Sequence, residues 1–245
     1  MRIISILVLI LSLMACQQAE DNDQTGKTVE KPEATKANTN PTSTDSTPDS
    51  QPAVKKEFSL LTELPYETVE SDEECTAPVV IEFFAYQCPH CYKLDEFAAA
   101  WQKNNAGEIQ FRPIPTDLGN KNFGSYIIVH HAAAKLGLLE TAIPALFERL
   151  HEQNKGFASL DDAVAFLVSM GASQQDAKQT IEDKETMDKS VQEDYRLLAK
   201  YKISGVPTVL VNHRYKFNVT KAGGYDNVFK VVEQTLELPS SCSSK

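Results

Sequence analysis

Residues 78–92 read PVVIEFFAYQCPHCY, and this stretch decides the fold. Its first nine residues form an apolar, β-branched run interrupted only by Glu82. A run that is apolar on both alternating faces is a strand buried on both sides, as in the middle of an α/β sheet. It leads directly into Cys88-Pro89-His90-Cys91, after which Leu94, Phe97, Ala98 and Trp101 recur at helical spacing. Asn104, Asn105, Ala106 and Gly107 end that helix. Residues 108–114 alternate and read as a second strand, closed by Pro113 and Pro115. The two cysteines therefore stand at the strand-to-helix junction of a strand–helix–strand unit.

Working outward, residues 120–202 predict helix throughout, over 123–136, 139–153, 160–170, 173–182 and 186–201. Gly137 and Gly171 punctuate them, Ser173 is a helix N-cap, and Pro144 falls in the first turns of its helix, where proline is tolerated. Strands return at 207–211 and 215–219, joined by a turn at Asn212, His213 and Arg214. A last helix over 225–236 carries Val228, Phe229, Val232 and Leu236 on one face. The expected architecture is α/β: β-α-β, a helical block, then β-β-α.

The chemistry follows from where the cysteines stand. A thiolate, not a thiol, is the working nucleophile. Cys88 at a helix N-terminus meets unpaired backbone N–H groups and the positive end of the helix dipole. Pro89 suits the first turn, because its missing N–H had no partner there anyway. His90, protonated or donating, adds to the same effect. Cys91 lies one turn deeper, close enough to close a disulfide. A stabilised Cys88 thiolate favours the reduced form, which makes the disulfide a stronger oxidant and Cys88 a good leaving group. A zinc site would need a second Cys pair or a spaced His pair, and His130 and His131 are adjacent and point to different helix faces. No metal and no cofactor is expected, and no nicotinamide, flavin or phosphate-binding pattern occurs.

The chain resembles the DsbA family of periplasmic thiol–disulfide oxidases over residues 82–92, EFFAYQCPHCY, and again at Gly205-Val206-Pro207-Thr208. The likeness covers roughly residues 58–238. It implies a thioredoxin-like fold formed by 57–119 and 203–245, interrupted by an all-helical insertion at 120–202. It implies that Cys88 attacks, that Cys91 is the buried resolving cysteine, and that Val206–Pro207 is a cis bond lying across from the pair and receiving substrate. It also implies that Glu82, a carboxyl out of place in an apolar strand, moves protons near Cys91. The expected partners are reduced, newly exported proteins and a membrane reoxidant of the DsbB type.

The remaining cysteines fit an exported chain. Arg2 and the apolar run 3–13 form a signal peptide too short to span a bilayer, which takes roughly 20 apolar residues. Leu13-Met14-Ala15-Cys16 resembles a bacterial lipoprotein box, so residues 1–15 are expected to be removed and Cys16 to carry lipid. Residues 17–56 contain no aromatic and only Val29 and Val54 as larger aliphatics. Such a segment cannot bury enough surface to fold, so 16–56 is expected to be a tether from the membrane, with an end-to-end distance of about 35 Å. Four cysteines then remain and allow three pairings. Cys88–Cys91 with Cys75–Cys242 is the natural one, since in this topology the last helix runs back toward the start of the central strand.

A formal net charge of −10 argues against nucleic acid as a partner. An isomerase would usually carry a folded dimerisation domain, and the low-complexity N-terminal extension argues against one; a monomer is expected. The leading reading is an oxidase; the alternatives are a reductase or isomerase, and a substrate-binding module without turnover.

Overall fold

The structure is a computed structural model, and it describes residues 63–73, 75–240 and 242. The signal peptide, Cys16 and the tether lie outside the described residues.

The expected central strand is β2, Val79–Phe84, and all six of its residues are buried. It is flanked by β3, Gln110–Pro115, in parallel and by β4, Thr208–Val211, antiparallel. β5, Tyr215–Asn218, pairs with β4, and β1, Glu67–Thr68, pairs with β5. The sheet order is therefore β1-β5-β4-β2-β3. β1 is an addition to the sequence reading. Two exposed residues carry no alternation, and the strand is held by pairing and by a 2.6 Å Glu67–Lys216 bridge.

β3 shows why two prolines can sit in a strand. Gln110 donates its N–H to the Pro78 carbonyl just before β2 and Thr116 donates to the Phe84 carbonyl at its end, so the even-numbered residues bond inward. The nitrogens of Pro113 and Pro115 then face the open edge, where no ladder bond is lost and none is offered to another strand.

Seven α-helices and a 3-10 turn at Lys121–Phe123 complete the described chain: α1 Pro89–Asn104, α2 Gly124–Lys135, α3 Leu139–His151, α4 Leu160–Ser169, α5 Gln174–Glu182, α6 Lys184–Lys200 and α7 Tyr225–Leu236. Helices α2–α6 all fall between β3 and β4. Their ends follow local chemistry. Ser159 and Ser173 accept from the N–H groups of Asp162 and Asp176. Gly137, at φ +71°, closes α2 in the left-handed conformation. α6 begins at Lys184, earlier than the expected 186, because Asp183 accepts from the Thr186 N–H and caps it. Pro144 lies in the second turn of α3 and is part of its interior.

Alternation along β2 sorts the core. Val79, Ile81 and Phe83 pack with Ile114, Leu197, Tyr201 and Leu210 on the α6 side. Val80 packs with Leu94, Trp101, Val228, Val231 and Val232 of α1 and α7. Phe84 reaches into the helical block with Tyr86, Cys91, Tyr126 and Phe147. Fully burying one such side chain is worth about 1.5–3 kcal/mol. The cost of placing a carboxyl among them, at Glu82, needs a functional account.

Candidate active site

β2 ends at Phe84, and the turn after it is held from several sides. Cys88 N–H donates to the Ala85 carbonyl at 3.0 Å. The Tyr86 hydroxyl lies 2.9 Å from Nδ1 of His130 on α2, and its carbonyl accepts from Nε2 of His151 on α3 at 2.8 Å. Gln87 Nε2 donates to the Asp117 carbonyl at 2.7 Å. The helical block therefore fixes the approach to Cys88. His130 is fully enclosed, and burial pulls its pKa down to about 3, so the ring is neutral.

Cys88 is the N-cap of α1, with extended backbone and Pro89 in the first turn. Its thiol pKa falls from the ordinary 9 to about 6. The largest cause is a hydrogen bond from the Cys91 thiol; burial opposes it, and the backbone N–H groups of Cys91 and His90 and the charge of the His90 ring add to it. Sequence reasoning anticipated the helix end and His90. It missed the leading contribution, which depends on the second sulfur being close by.

Cys91 is wholly buried and packs against the helical block. Burial, and the hydrogen bond its S–H donates to Cys88, hold its thiol far above the ordinary range. Two cysteines three residues apart are thus driven to opposite ends of the acidity scale. Both are free thiols in this structure.

Glu82 lies on the α1 side of β2, at register with Pro113 and Val209. It is 6% exposed, and burial raises its pKa to about 8, with the charges of Asp95 and Cys88 adding. It is a neutral acid at neutral pH and can give a proton up. Asp95, on α1, was not singled out in the sequence. Burial first, then Glu96, raises it to about 6. It lines an open groove with Trp101, Phe111, Pro113 and Ile143, and its charge is felt by Glu82. One signal existed: Asp95 follows buried Leu94, on the flank of the face that α1 turns to the sheet.

The Val206–Pro207 peptide is cis. The Cys88 sulfur lies 3.7 Å from the Val206 carbonyl, across 118 residues of sequence. A groove beside it is lined by His90, Gly205, Val206, Pro207, Val219 and Tyr225. Tyr225, the first residue of α7, places its hydroxyl 2.7 Å from His90 Nδ1. It too escaped the sequence reading, because nothing local ties residue 225 to residue 90.

Cys75 and Cys242 are joined by a disulfide with Cα atoms 5.0 Å apart. No group of three His, Cys, Asp or Glu among the described residues is arranged to hold a metal. No helix among them is long and apolar enough to cross a membrane.

Residues 79–234 match the model of the DSBA-like thioredoxin domain. The thiol:disulfide interchange protein DsbA of Burkholderia cepacia is 31% identical over 158 residues, which are 62% of this chain and 72% of that protein. The protein of the same name from Pseudomonas aeruginosa is 27% identical, over 68% of this chain and 78% of its own. The crystal structure of Pseudomonas aeruginosa DsbA superposes with a TM-score of 0.64 at 23% identity, covering 71% of this chain and 91% of that one. A DsbA from Proteus mirabilis, solved with a non-covalently bound peptide PWATCDS, superposes at 0.61 with 22% identity, over 71% and 97%.

Proposed function

The chain belongs to the family of DSBA-like thioredoxin domains and is a thiol:disulfide oxidoreductase; from that premise we propose that it is an oxidase, donating the Cys88–Cys91 disulfide to newly exported proteins of the cell envelope. The observation that carries this reading is the split between the two thiols, Cys88 pulled down to about 6 and Cys91 pushed far up.

A substrate thiolate attacks the Cys88 sulfur of the oxidised pair. The Cys88–Cys91 bond breaks, and its electrons leave with Cys91, whose buried sulfur must take a proton. Glu82, neutral and enclosed nearby, supplies it and recovers one through the groove at Asp95. A second substrate thiolate then attacks the substrate sulfur of the mixed disulfide. Cys88 leaves as a thiolate that the helix end already favours. Two electrons have passed from substrate to enzyme, and the substrate holds a new disulfide. Val206 and Pro207 supply the surface opposite Cys88 on which an extended substrate segment is held.

The lipoprotein box at Cys16 supports anchoring of this activity to a membrane on its periplasmic side, with residues 17–56 as the tether. Reoxidation falls to a membrane partner of the DsbB type. A Cys16→Ser variant is expected to leave the membrane fraction after export; one that stayed bound after signal cleavage would reject the anchor.

Equilibration of the full chain with glutathione tests the oxidase. Reference potentials of about −120 mV for a strong oxidant of this family and about −270 mV for thioredoxin bracket the outcome. A value near the first supports the oxidase. A value near the second rejects it in favour of a reductase.

A further inference from the structure

We propose that Tyr225 is a positioning residue: its hydroxyl holds the His90 imidazole at the mouth of the groove beside Cys88 and thereby sets how readily Cys88 departs as a thiolate. The inference deepens the oxidase reading and rests on it.

His90 is exposed, on the first turn of α1. An exposed imidazole samples several rotamers, and only some keep its charge near the sulfur. Here the ring is held in one place. Its Nδ1 lies 2.7 Å from the Tyr225 hydroxyl, and the two rings are nearly parallel with centroids 6.5 Å apart. Tyr225 is itself braced. Phe97 stacks on it at 6.1 Å, and the Lys93 ammonium stands 4.5 Å over its ring. Its position at the start of α7 is fixed by the adjoining helix face, where Val228 is buried. Two helices far apart in sequence are thus tied at the point where one begins to carry the nucleophile.

The phenol has the right character for this task. Burial, with the nearby Cys88 and Cys91, raises its pKa, so it keeps its proton. A neutral hydroxyl accepts from a protonated imidazole Nδ1–H and donates to a neutral Nδ1, so it steadies the ring in either state. The charged and titratable groups around the pair are Lys93, Cys88 and Cys91, and the remaining groove lining contributes none. When the substrate–Cys88 bond breaks, its electron pair stays on the Cys88 sulfur. A held His90 stabilises that charge, and a freely rotating one does so less.

The test is a double-mutant cycle on the full chain: wild type, Tyr225→Phe, His90→Ala and the double variant. Tyr225→Phe keeps the ring, its stacking and the Lys93 contact, and removes only the hydroxyl. The readouts are the thiolate absorbance of Cys88 against pH and the equilibrium with glutathione. One hydrogen bond of ordinary net strength predicts that Tyr225→Phe shifts the glutathione equilibrium about three- to tenfold toward the oxidised enzyme, with the thiolate midpoint moving up. In the His90→Ala background the same change is expected to do nothing. No shift in the first background, or an equal shift in both, overturns the proposal. The wild-type potential judges the oxidase reading separately: a strongly oxidising wild type with an inert Tyr225→Phe sinks this inference alone.

Discussion

The Cys88 sulfur and the Val206 carbonyl oxygen stand 3.7 Å apart, the one capping α1 and the other ending the loop before β4. The start of α1 and the loop before β4 therefore meet at a single point, although 118 residues of sequence lie between them. What each side does there can be measured separately.

Cys88 is expected to titrate near pH 6, against about 9 for an ordinary cysteine, when thiolate absorbance is followed on the reduced protein. The sign for stability follows. A depressed thiol pKa stabilises the reduced fold fully above pH 9, and the gain fades as pH falls through 6. Urea midpoints of reduced and oxidised protein, compared across this window, should diverge in favour of the reduced form as pH rises. Parallel curves would show that the helix end and Cys91 do not tune the site.

Glu82→Gln acts in the opposite direction. A carboxyl raised from 4.5 to about 8 costs the fold nothing below pH 4.5, where folded and unfolded forms are both protonated. The cost grows between 4.5 and 8 and is constant above. Removing the charge should stabilise the protein by up to about 5 kcal/mol above pH 8 and leave it unchanged at pH 4. Denaturant midpoints at pH 4, 6 and 8 check this. The same variant should flatten the pH dependence of the step in which Cys91 takes its proton, read by single-turnover reduction with a dithiol peptide.

Asp95→Asn tests the second carboxyl. Asp95 is ionised well before Glu82 and repels its charge. Without it, the Glu82 pKa should drop by about half a unit to one unit, and the pH profile of exchange should move down with it. An unmoved profile would detach Asp95 from the proton path.

Joint replacement of Cys75 and Cys242 by alanine should cost about 2–4 kcal/mol, since the bridge closes a loop of 167 residues in the unfolded chain. Cys242 is buried among Val79, Ile81 and Tyr201, at the far end of β2 from the reactive pair. The Cys88 titration should therefore be unaltered. A non-reducing peptide map lacking a 75–242 cross-link would contradict the bridge itself.

The parts of this fold that could be read from sequence are those whose cause is local. The double-faced apolar run of β2, the Ser173 cap, the glycine after α2 and the CPHC tetrad each carry their reason within a few residues. β1 could not be read, because residues 67 and 68 become a strand only through β5. The site divides in the same way. Cys88, Pro89, His90, Cys91 and Glu82 share fifteen residues of sequence with their strand and turn, whereas Val206 and Pro207 needed a family likeness. Asp95 and Tyr225 needed coordinates, since their meaning lies in what stands opposite them. The leading cause of the Cys88 acidity was of that kind too, a contact between sulfurs and not a property of either.

Cys88 and Val206 are 118 residues apart, and the helices α2–α6 fall within that separation. During synthesis Cys88 therefore leaves the ribosome well ahead of Val206, by roughly 6 to 24 s at ordinary elongation rates. A chain interrupted within that interval carries both reactive thiols but no groove to aim them. The helical insertion thus lengthens the interval in which Cys88 and Cys91 have been made and Val206 and Pro207 have not.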